Sequence, residues 1–257
     1  MKHMVKYGKI DKICLFSEDS ESMIDFTSLP LNKSDLESLE QLNIDMVFQP
    51  IYNAANLSIS GFEALMRPEG KTPLDLIAEY QEADQLSVIE LATCFGATME
   101  YRKRGYTQPL CINSLPSEGL SDEQYEIYYK TFPEMAGNII VEIVEYTELN
   151  KHKWATKKRD IDAHGLQIAL DDYSTGNNDI TAFDFFRPQY IKLDRSLISN
   201  IDTTPEKQIN VSEMVSYFHD IGVRVVAEGI ETMEEQEFLR HEAKVDFLQG
   251  FYLGKPQ

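Results

Sequence analysis

The sequence predicts an α/β fold, a modified (β/α)8 barrel of the TIM type whose first strand is antiparallel to its neighbours. Eight short strand-like segments occur along the chain, and six of them alternate with amphipathic helical segments, as in repeated βα units. The first two segments are joined only by a short Asn-rich turn, so we expect them to be antiparallel. A length of 257 residues is common for one such barrel.

Residues 1–43 are predicted to form an N-terminal segment that packs on the barrel, and residues 44–257 are predicted to form the barrel itself. The segment contains a candidate strand, KICLFS, and a helix around SDLESLEQL with Ser34 as its N-cap. From Ile44 onward the pattern is regular. IDMVFQPIY and LSISGFEALM are the first two predicted strands, and a long helical region runs from Pro73 to about Arg104.

The remaining predicted strands are short and apolar: LCIN (110–113), IIVEIV (139–144), LQIALD (166–171), YIKLD (190–194), VRVVAE (223–228) and FLQGFY (247–252). Between them lie amphipathic segments such as KHKWATKKRDIDAHG and EKQINVSEMVSYFHDIG. Both end in glycine, which is frequent just after a helix C-terminus. The alternation predicts parallel strands that are connected by helices.

Composition and charge exclude several classes of function. No apolar run reaches the roughly 18 residues of a membrane-spanning helix, and the N-terminus lacks the apolar part of a signal peptide. The 3 cysteines are widely spaced and odd in number, which favours a reducing cytoplasm over a disulfide framework. A net charge of −19 argues against binding a nucleic acid polymer. A small anionic ligand requires Lys, Arg or metal ions that reverse the local field.

Polar side chains stand where the predicted strands end. In a barrel of this type the C-terminal strand ends carry the functional groups. The positions are Glu63, Asn113, Glu142, Asp171 with Asp172, Lys192 with Asp194, Glu228 and Gln249. Taken singly, each residue could be a salt-bridge partner at the rim or the N-cap of the next helix. Their occurrence at equivalent positions predicts one functional cluster.

The electrostatics of this cluster predict bound cations or protonated acids. Two carboxylates 4 Å apart repel each other by roughly 4 kcal/mol at an effective dielectric constant of 20. Beside Lys192, five acids cannot all stay ionised: Glu63, Glu142, Asp171, Asp172 and Glu228. Either several of them are protonated or divalent cations lie among them. Oxygen ligands with one Asn suit Mg²⁺ or Mn²⁺ rather than zinc, and no His lies at a strand end. Two such cations typically serve the hydrolysis of a phosphate ester.

Over about residues 44–256 the chain carries a series of ordered motifs: FQPIY, GFEALMRP, CINSLP, VEIVE, ALDDYSTG, YIKLDRS, AEGIET and LQGFYLGKP. In these motifs it resembles the EAL family of cyclic-di-GMP phosphodiesterases. The resemblance implies a barrel that hydrolyses one phosphodiester of cyclic di-GMP to linear pGpG with two Mg²⁺ or Mn²⁺ ions.

The resemblance also implies roles for individual residues. One cation would be held by a set of four ligands: Glu63, Asn113, Glu142 and Asp171. Asp171 would be shared with a second cation, whose other ligands would be Asp172 and Glu228. Glu228 is a candidate general base, and Lys192 would position the attacking water or stabilise developing charge. Glu63, Lys192 and Glu228 are thus the expected catalytic residues.

The substrate is expected to meet a second group of residues: Gln49, Leu65, Arg67, Asp194 and Gln249. Arg67 would hold a phosphate oxygen, because its guanidinium group offers several fixed donors. Glu145 and Glu231 would anchor loops around the site. Two alternatives remain open: Arg67 could be an ordinary surface arginine, and Lys192 could pair with Asp194.

The loop after the Asp pair departs from the family pattern. The family usually reads D-D-F-G-T-G-Y-S-S, whereas residues 171–179 read DDYSTGNND. Ser174 replaces a glycine that can allow a backbone angle unfavourable for serine. In the family this loop organises the metal site and is linked to dimerisation, so a homodimer is one expectation. Two functions follow: an active phosphodiesterase, or a cyclic-di-GMP receptor or interaction module with slow or absent turnover.

Overall fold

The structure is a computed structural model and describes residues 29–144, 150–173 and 180–257. The strands in these residues are β1 (Ile44–Asn53), β2 (Ile59–Pro68), β3 (Leu110–Ser114), β4 (Ile139–Ile143), β5 (Gln167–Tyr173), β6 (Tyr190–Leu193), β7 (Arg224–Ala227) and β8 (Phe247–Leu248). The helices are α1 (Lys33–Gln41), α2 (Pro73–Glu82), α3 (Leu86–Lys103), α4 (Asp122–Thr131), α5 (Lys151–Ala163), α6 (Ile180–Phe186), α7 (Arg195–Ile198), α8 (Pro205–Asp220) and α9 (Met233–His241). Among these described helices, none has the length and hydrophobicity that crossing a membrane requires.

The strands form a closed barrel in the order β1 to β8. Strands β2 to β8 are parallel to one another, whereas β1 is antiparallel to β8, with Tyr52 opposite Leu248. The turn after β1 is too short for a parallel crossover. The side chain of Asn53 stabilises it by accepting hydrogen bonds from the backbone N–H groups of Ala55 and Asn56. The predicted α/β barrel with an antiparallel first strand is therefore confirmed.

The chain divides into two compact units. One holds residues 29–47, Met66–Thr107 and Glu118–Ala136, and includes helices α1 to α4. Its interior is aromatic: the rings of Phe95 and Tyr128 meet edge to face at 5.2 Å, and the Tyr128 hydroxyl lies 2.6 Å from that of Thr98. The other unit holds Phe48–Leu65, Gln108–Ser117 and Gly137–Gln257, and includes α5 to α9.

Several local predictions are confirmed and others are wrong. Helices α5 and α8 lie where they were predicted, and each is followed by a glycine with positive φ. The N-cap of α1 is Asn32 rather than Ser34, because the Asn32 side chain accepts the N–H of Asp35 at 2.9 Å. The helical region predicted from Pro73 to about Arg104 consists of two helices, α2 and α3. Asp84 between them has φ 55, a left-handed conformation that a right-handed helix cannot continue.

The last predicted strand is much shorter than expected. β8 ends at Leu248, and residues 250–253 form a turn in which Leu253 N–H donates to the Gly250 carbonyl. The reason is a tertiary contact, because the backbone of Gly250 lies against that of Ile230. The KICLFS strand lies outside the described residues. The proposed boundary at residue 43 and the packing of residues 1–43 on the barrel stay predictions.

A small cluster of apolar side chains, the apolar core, lies inside the barrel. Its members are contributed by six different strands: Ile51, Cys111, Ile140, Ala169, Tyr190 and Val226. Phe247 of β8 packs against the same cluster. Side chains two positions apart on a strand point to the same side of a sheet. The next inward-facing position on each strand therefore lies directly beyond this core.

Candidate active site

A polar layer lies directly beyond the apolar core. Six of the predicted site residues stand two positions after a core residue or Phe247: Asn113, Glu142, Asp171, Lys192, Glu228 and Gln249. In the antiparallel β1, Gln49 stands two positions before Ile51 instead. The reversal places it at the same end of the barrel as the others. Strand periodicity thus brings together chemically active side chains that are far apart in the sequence.

Lys192 lies at the centre of this layer and contacts four carboxylates. Its Nζ is 2.8 Å from Glu228 Oε1, 2.9 Å from Asp171 Oδ1, 3.1 Å from Glu142 Oε2 and 3.5 Å from Glu63 Oε2. The Lys192 side chain is only 2% exposed. The alternative in which Lys192 pairs with Asp194 is wrong. Asp194 instead caps α7 by accepting the Ser196 N–H at 2.8 Å.

The four acids around Lys192 carry more negative charge than one ammonium group balances. Burial raises the pKa of Glu142 well above its usual range, and the Glu63 and Asp171 carboxylates add to this effect, while Lys192 opposes it. Burial likewise raises the pKa of Glu228, with further contributions from Asp171 and Glu63. Without cations, the cluster therefore holds protons on some of its carboxyl groups.

The same carboxylates favour the charged form of Lys192. Burial alone would lower the pKa of its ammonium group, but the four carboxylates outweigh burial and raise the pKa well above its ordinary value. Lys192 is therefore positively charged at any physiological pH. It acts as a fixed cation in the layer rather than as a proton donor.

Hydrogen bonds from three amide side chains order Glu63 and its surroundings. Asn113 Nδ2 donates to Glu63 Oε1 at 3.1 Å, and Gln249 Nε2 donates to Glu63 Oε2 at 2.6 Å. Gln249 Nε2 is also 3.3 Å from Gln49 Oε1, and Gln49 Nε2 donates to the Gly254 carbonyl at 3.1 Å. Strands β1, β2, β3 and β8 are thereby tied together at one carboxylate.

Two buried acceptor atoms in this layer have no hydrogen-bond partner among the described residues: Glu142 Oε1 and Gln249 Oε1. Glu142 is 1% exposed and Gln249 is 3% exposed. A buried acceptor without a partner costs about 1–3 kcal/mol, more if it is charged. Such atoms in the middle of an acidic cluster fit a site that receives a cation or another ligand.

The adjacent acids Asp171 and Asp172 converge because β5 is irregular at its end. The register with β6 shifts between Leu170 and Tyr173, and Asp172 has φ 47. In a regular strand, neighbouring side chains would point to opposite faces. Here carboxylate oxygens of Asp171, Asp172 and Glu228 all lie within 4.8 Å of one another. This is a donor set of hard oxygen ligands, which suits Mg²⁺ or Mn²⁺.

A cavity of about 700 Å³, counted with its open side, adjoins the cluster. Residues from five strand ends line it: Gln49, Glu63, Leu65, Asp194, Glu228 and Gln249. Glu231 and the exposed ring of Phe251 lie on its edge. The cavity brings together acids, amides and an aromatic ring, and its volume is large enough for a small-molecule ligand.

The chain matches the family described as "EAL domain" over residues 34–256. It is a member of the EAL domain family. The motifs that carried the resemblance in the sequence thus lie on one barrel and supply the polar layer at its C-terminal end. Hydrolysis of cyclic di-GMP is the activity associated with this family at a general level.

Relatives and solved structures agree with this assignment. The chain is 25% identical over 225 residues to a probable cyclic di-GMP phosphodiesterase, PdeN of Escherichia coli, covering 82% of this chain and 43% of PdeN. A standalone EAL protein from Vibrio cholerae, solved with bound c-di-GMP, superposes with a TM-score of 0.74 at 27% identity, covering 84% of this chain and 92% of that one. A manganese/cy-diGMP complex of Klebsiella pneumoniae BlrP1 superposes with a TM-score of 0.70 at 23% identity, covering 83% and 56%, and supports the fold. The matched region covers 29%, 43% and 27% of the length of the first three curated relatives, which is well under two thirds.

The ligand, catalytic and substrate-binding roles expected of individual residues in this EAL domain stay predictions. Arg67 belongs to the other compact unit, is exposed, and donates to the Met66 carbonyl, so its contact with a phosphate stays a prediction. Glu145 and the altered loop from Ser174 to Asp179 lie outside the described residues.

The sequence reasoning overlooked Arg195. Its Nη2 is 2.6 Å from Glu231 Oε2, and its Nη1 donates to the Gly229 carbonyl. The signal was a cation directly after Asp194 in YIKLDRS, at the end of a functional strand.

Proposed function

We propose that this EAL domain hydrolyses one phosphodiester of cyclic di-GMP to linear pGpG, using two divalent cations, Mg²⁺ or Mn²⁺. The observation that carries the proposal is the excess of buried carboxylates around Lys192, next to a cavity of about 700 Å³. A site with such an excess of negative charge is suited to binding cations. A phosphodiester is a substrate that those cations would bind.

The proposed ligands divide into two sets that share Asp171. Glu63, Asn113, Glu142 and Asp171 would hold one cation, and Asp171, Asp172 and Glu228 would hold the other. The unpartnered Oε1 of Glu142 supports the first set, and the convergence of three acids within 4.8 Å supports the second. When bound, the two cations supply positive charge that stabilises a phosphoryl transition state and lowers the pKa of a water molecule.

The side chains of this chain would perform the remaining tasks. The Glu228 carboxylate is proposed to accept the proton of the attacking water, because it lines the cavity and belongs to the second acid set. Lys192 would hold Glu228 and Asp171 in place through its contacts at 2.8 and 2.9 Å. Gln49 and Gln249 would orient water or substrate in the cavity, with Leu65 and Asp194 forming its wall. Arg67 is proposed to hold a phosphate oxygen.

Product analysis with a matched pair of variants tests the proposal. The protein is incubated with cyclic di-GMP and either Mg²⁺ or Mn²⁺, and pGpG is quantified by liquid chromatography with mass detection. Glu63→Gln keeps the size of the side chain but removes its charge, so we expect turnover to fall by more than about 100-fold. Glu213→Gln on the exposed side of α8 makes the same chemical change away from the site and should leave turnover unchanged.

A second candidate function is a cyclic-di-GMP receptor or interaction module with slow or absent turnover. The observation that favours it is the altered sequence from Ser174 to Asp179 directly after the Asp pair. Tight binding of cyclic di-GMP without pGpG in either metal would select this function over hydrolysis. Formation of pGpG that depends on Glu63 would select the enzyme.

We also propose that the protein acts in the cytoplasm and can form a homodimer. The widely spaced cysteines support a reducing compartment. Light scattering coupled to size-exclusion chromatography, with and without cyclic di-GMP, measures the oligomeric state directly.

A further inference from the structure

The segment from Glu228 to Glu231, which follows β7, is held by the side chain of Arg195. Nη1 of Arg195 donates to the carbonyl of Gly229, the residue next to Glu228. Nη2 pairs with Glu231 Oε2 at 2.6 Å. Nη1 also lies 3.7 Å from Glu235 Oε2, whose side chain is 3% exposed. One guanidinium group therefore contacts three acceptors on or next to this segment.

The backbone of the segment is shaped to receive Arg195. Gly229 has φ +68, and a Cβ placed there would lie 2.6 Å from Arg195 Cβ and 2.9 Å from its Cγ and Cδ. The aliphatic part of Arg195 thus lies directly over the glycine. A residue with a side chain would be excluded by the close approach and disfavoured by the left-handed backbone.

The other side of the segment lies against Gly250. A Cβ on Gly250 would be 2.2 Å from both the N and the O of Ile230. The Ile230 N–H donates to the Gln249 carbonyl at 3.1 Å, and its carbonyl accepts the Tyr252 N–H at 3.0 Å. The segment is therefore fixed between the Arg195 side chain and the chain that follows β8.

Glu235 extends this arrangement to the start of α9. Its Oε2 accepts the backbone N–H groups of Glu231 and Thr232 at 2.9 and 3.3 Å. Its Oε1 accepts the Asn200 N–H at 2.8 Å. Glu235 thus anchors the far end of the segment while the Arg195 charge lies close to it. A lysine at position 195 would lack the planar set of fixed donors with which the guanidinium group holds the Gly229 carbonyl and the Glu231 carboxylate together.

We propose that Arg195 is a positioning residue that fixes the Glu228 carboxylate for cation binding, acting through the Gly229 carbonyl and the Glu231 side chain. The inference rests on the proposed cation site. Arg195 borders the cavity, but its guanidinium group is engaged with acceptors of the protein itself. It therefore acts on Glu228 rather than on the substrate.

Direct titration with Mn²⁺, followed by calorimetry or by the electron paramagnetic resonance signal of free Mn²⁺, tests the proposal. Residues that orient a metal ligand contribute about 10–100-fold to metal affinity. We expect Arg195→Ala to weaken the Mn²⁺ site that includes Glu228 by this factor, and Arg195→Lys to weaken it less. Arg159→Ala removes an exposed arginine that pairs with Asp160 on α5 and should leave affinity unchanged.

A double-mutant comparison separates positioning from a general loss of stability. If Arg195 acts through Glu228, Arg195→Ala should cause no further loss of Mn²⁺ affinity in a Glu228→Gln background. An equal loss in both backgrounds, or unchanged affinity in the single variant, overturns the proposal. If Arg195→Ala fails to fold, the same comparison is made with Arg195→Lys.

The Mn²⁺ titration does not depend on turnover. A wild-type protein that binds Mn²⁺ without forming pGpG would contradict the proposed function, yet the Arg195 variants would still report on Glu228. If the wild type does form pGpG, Arg195→Ala should lower kcat with KM for cyclic di-GMP nearly unchanged, since the residue does not contact substrate.

Discussion

Replacing Lys192 by methionine would remove the positive charge that contacts all four acids at the centre of the polar layer. Methionine has a similar length and no charge, so Lys192→Met leaves the packing of β6 largely intact. Four carboxylates would then face one another without the ammonium group that now lies 2.8–3.5 Å from each. We expect the metal-free protein to be strongly destabilised near neutral pH.

The size of the effect follows from the geometry. A single pair at the 3.1 Å between Lys192 and Glu142 corresponds to about 5 kcal/mol at an effective dielectric constant of 20. The carboxyl groups can take up protons in the variant, which limits the total. Removing one partner from a buried pair typically costs about 3–5 kcal/mol. For a chain of this size, that corresponds to a fall in the melting temperature of about 6–20 °C.

The loss of stability should depend on pH in a defined direction. The pKa values of Glu142 and Glu228 in the folded protein are raised above their ordinary value of 4.5. A raised pKa contributes stability that is complete below the unfolded-state pKa and is lost as pH rises through the folded-state pKa. Without Lys192 these pKa values rise further. The variant should therefore be destabilised more at about pH 7.5 than at about pH 5.

Thermal unfolding in the presence of a chelator, at both pH values, measures this effect. Lys158→Met is the matched control, because Lys158 forms an exposed pair with Asp162 on α5, and such pairs contribute at most about 1 kcal/mol. Equal destabilisation by Lys192→Met at the two pH values, or a loss no larger than that of Lys158→Met, would refute the assignment of an uncompensated acidic cluster.

Two further predictions concern the cations and the segment after β8. Mn²⁺ or Mg²⁺ should raise the melting temperature of the wild type more at about pH 7.5 than at about pH 5, because protons on Glu142 and Glu228 compete with the metal. A chelator should reverse the increase, and a shift independent of pH would contradict cation binding at these acids. Gly250→Ala should destabilise the protein by more than about 2 kcal/mol, because its Cβ would lie 2.2 Å from Ile230 backbone atoms. Gly165→Ala has open space around the new Cβ and should cost about 1 kcal/mol in thermal or denaturant unfolding; equal costs at both positions would contradict the close contact at Gly250.

Much of the polar layer follows from strand periodicity and is visible in the sequence. Each of the parallel strands β3 to β7 has a polar residue two positions after a buried one, as in Ile140 and Glu142 or Tyr190 and Lys192. Because parallel strands end on the same side of the barrel, these residues must meet. The sequence therefore predicts the composition of the layer and the end of the barrel at which it lies.

Other features depend on tertiary contacts that no local pattern specifies. Asn32 and Ser34 are both residue types that cap helices, and only the structure shows that α1 begins at Lys33 with Asn32 as its N-cap. FLQGFY alternates like a strand, yet the contact between Gly250 and Ile230 ends β8 at Leu248. The role of Arg195 depends on its approach to Gly229, which is distant in sequence.

The pair Asp171 and Asp172 takes a conformation that strand periodicity does not predict. Strand periodicity alone would point the two side chains to opposite faces, although the resemblance to the EAL family assigned both to one site. The register shift and the φ of 47 at Asp172 break this periodicity and turn both carboxylates toward Glu228. Aspartate tolerates a left-handed backbone better than most residues, but the conformation and the like charges both cost free energy. A cation shared by the two carboxylates would offset both costs, so cation binding would explain the irregular end of β5.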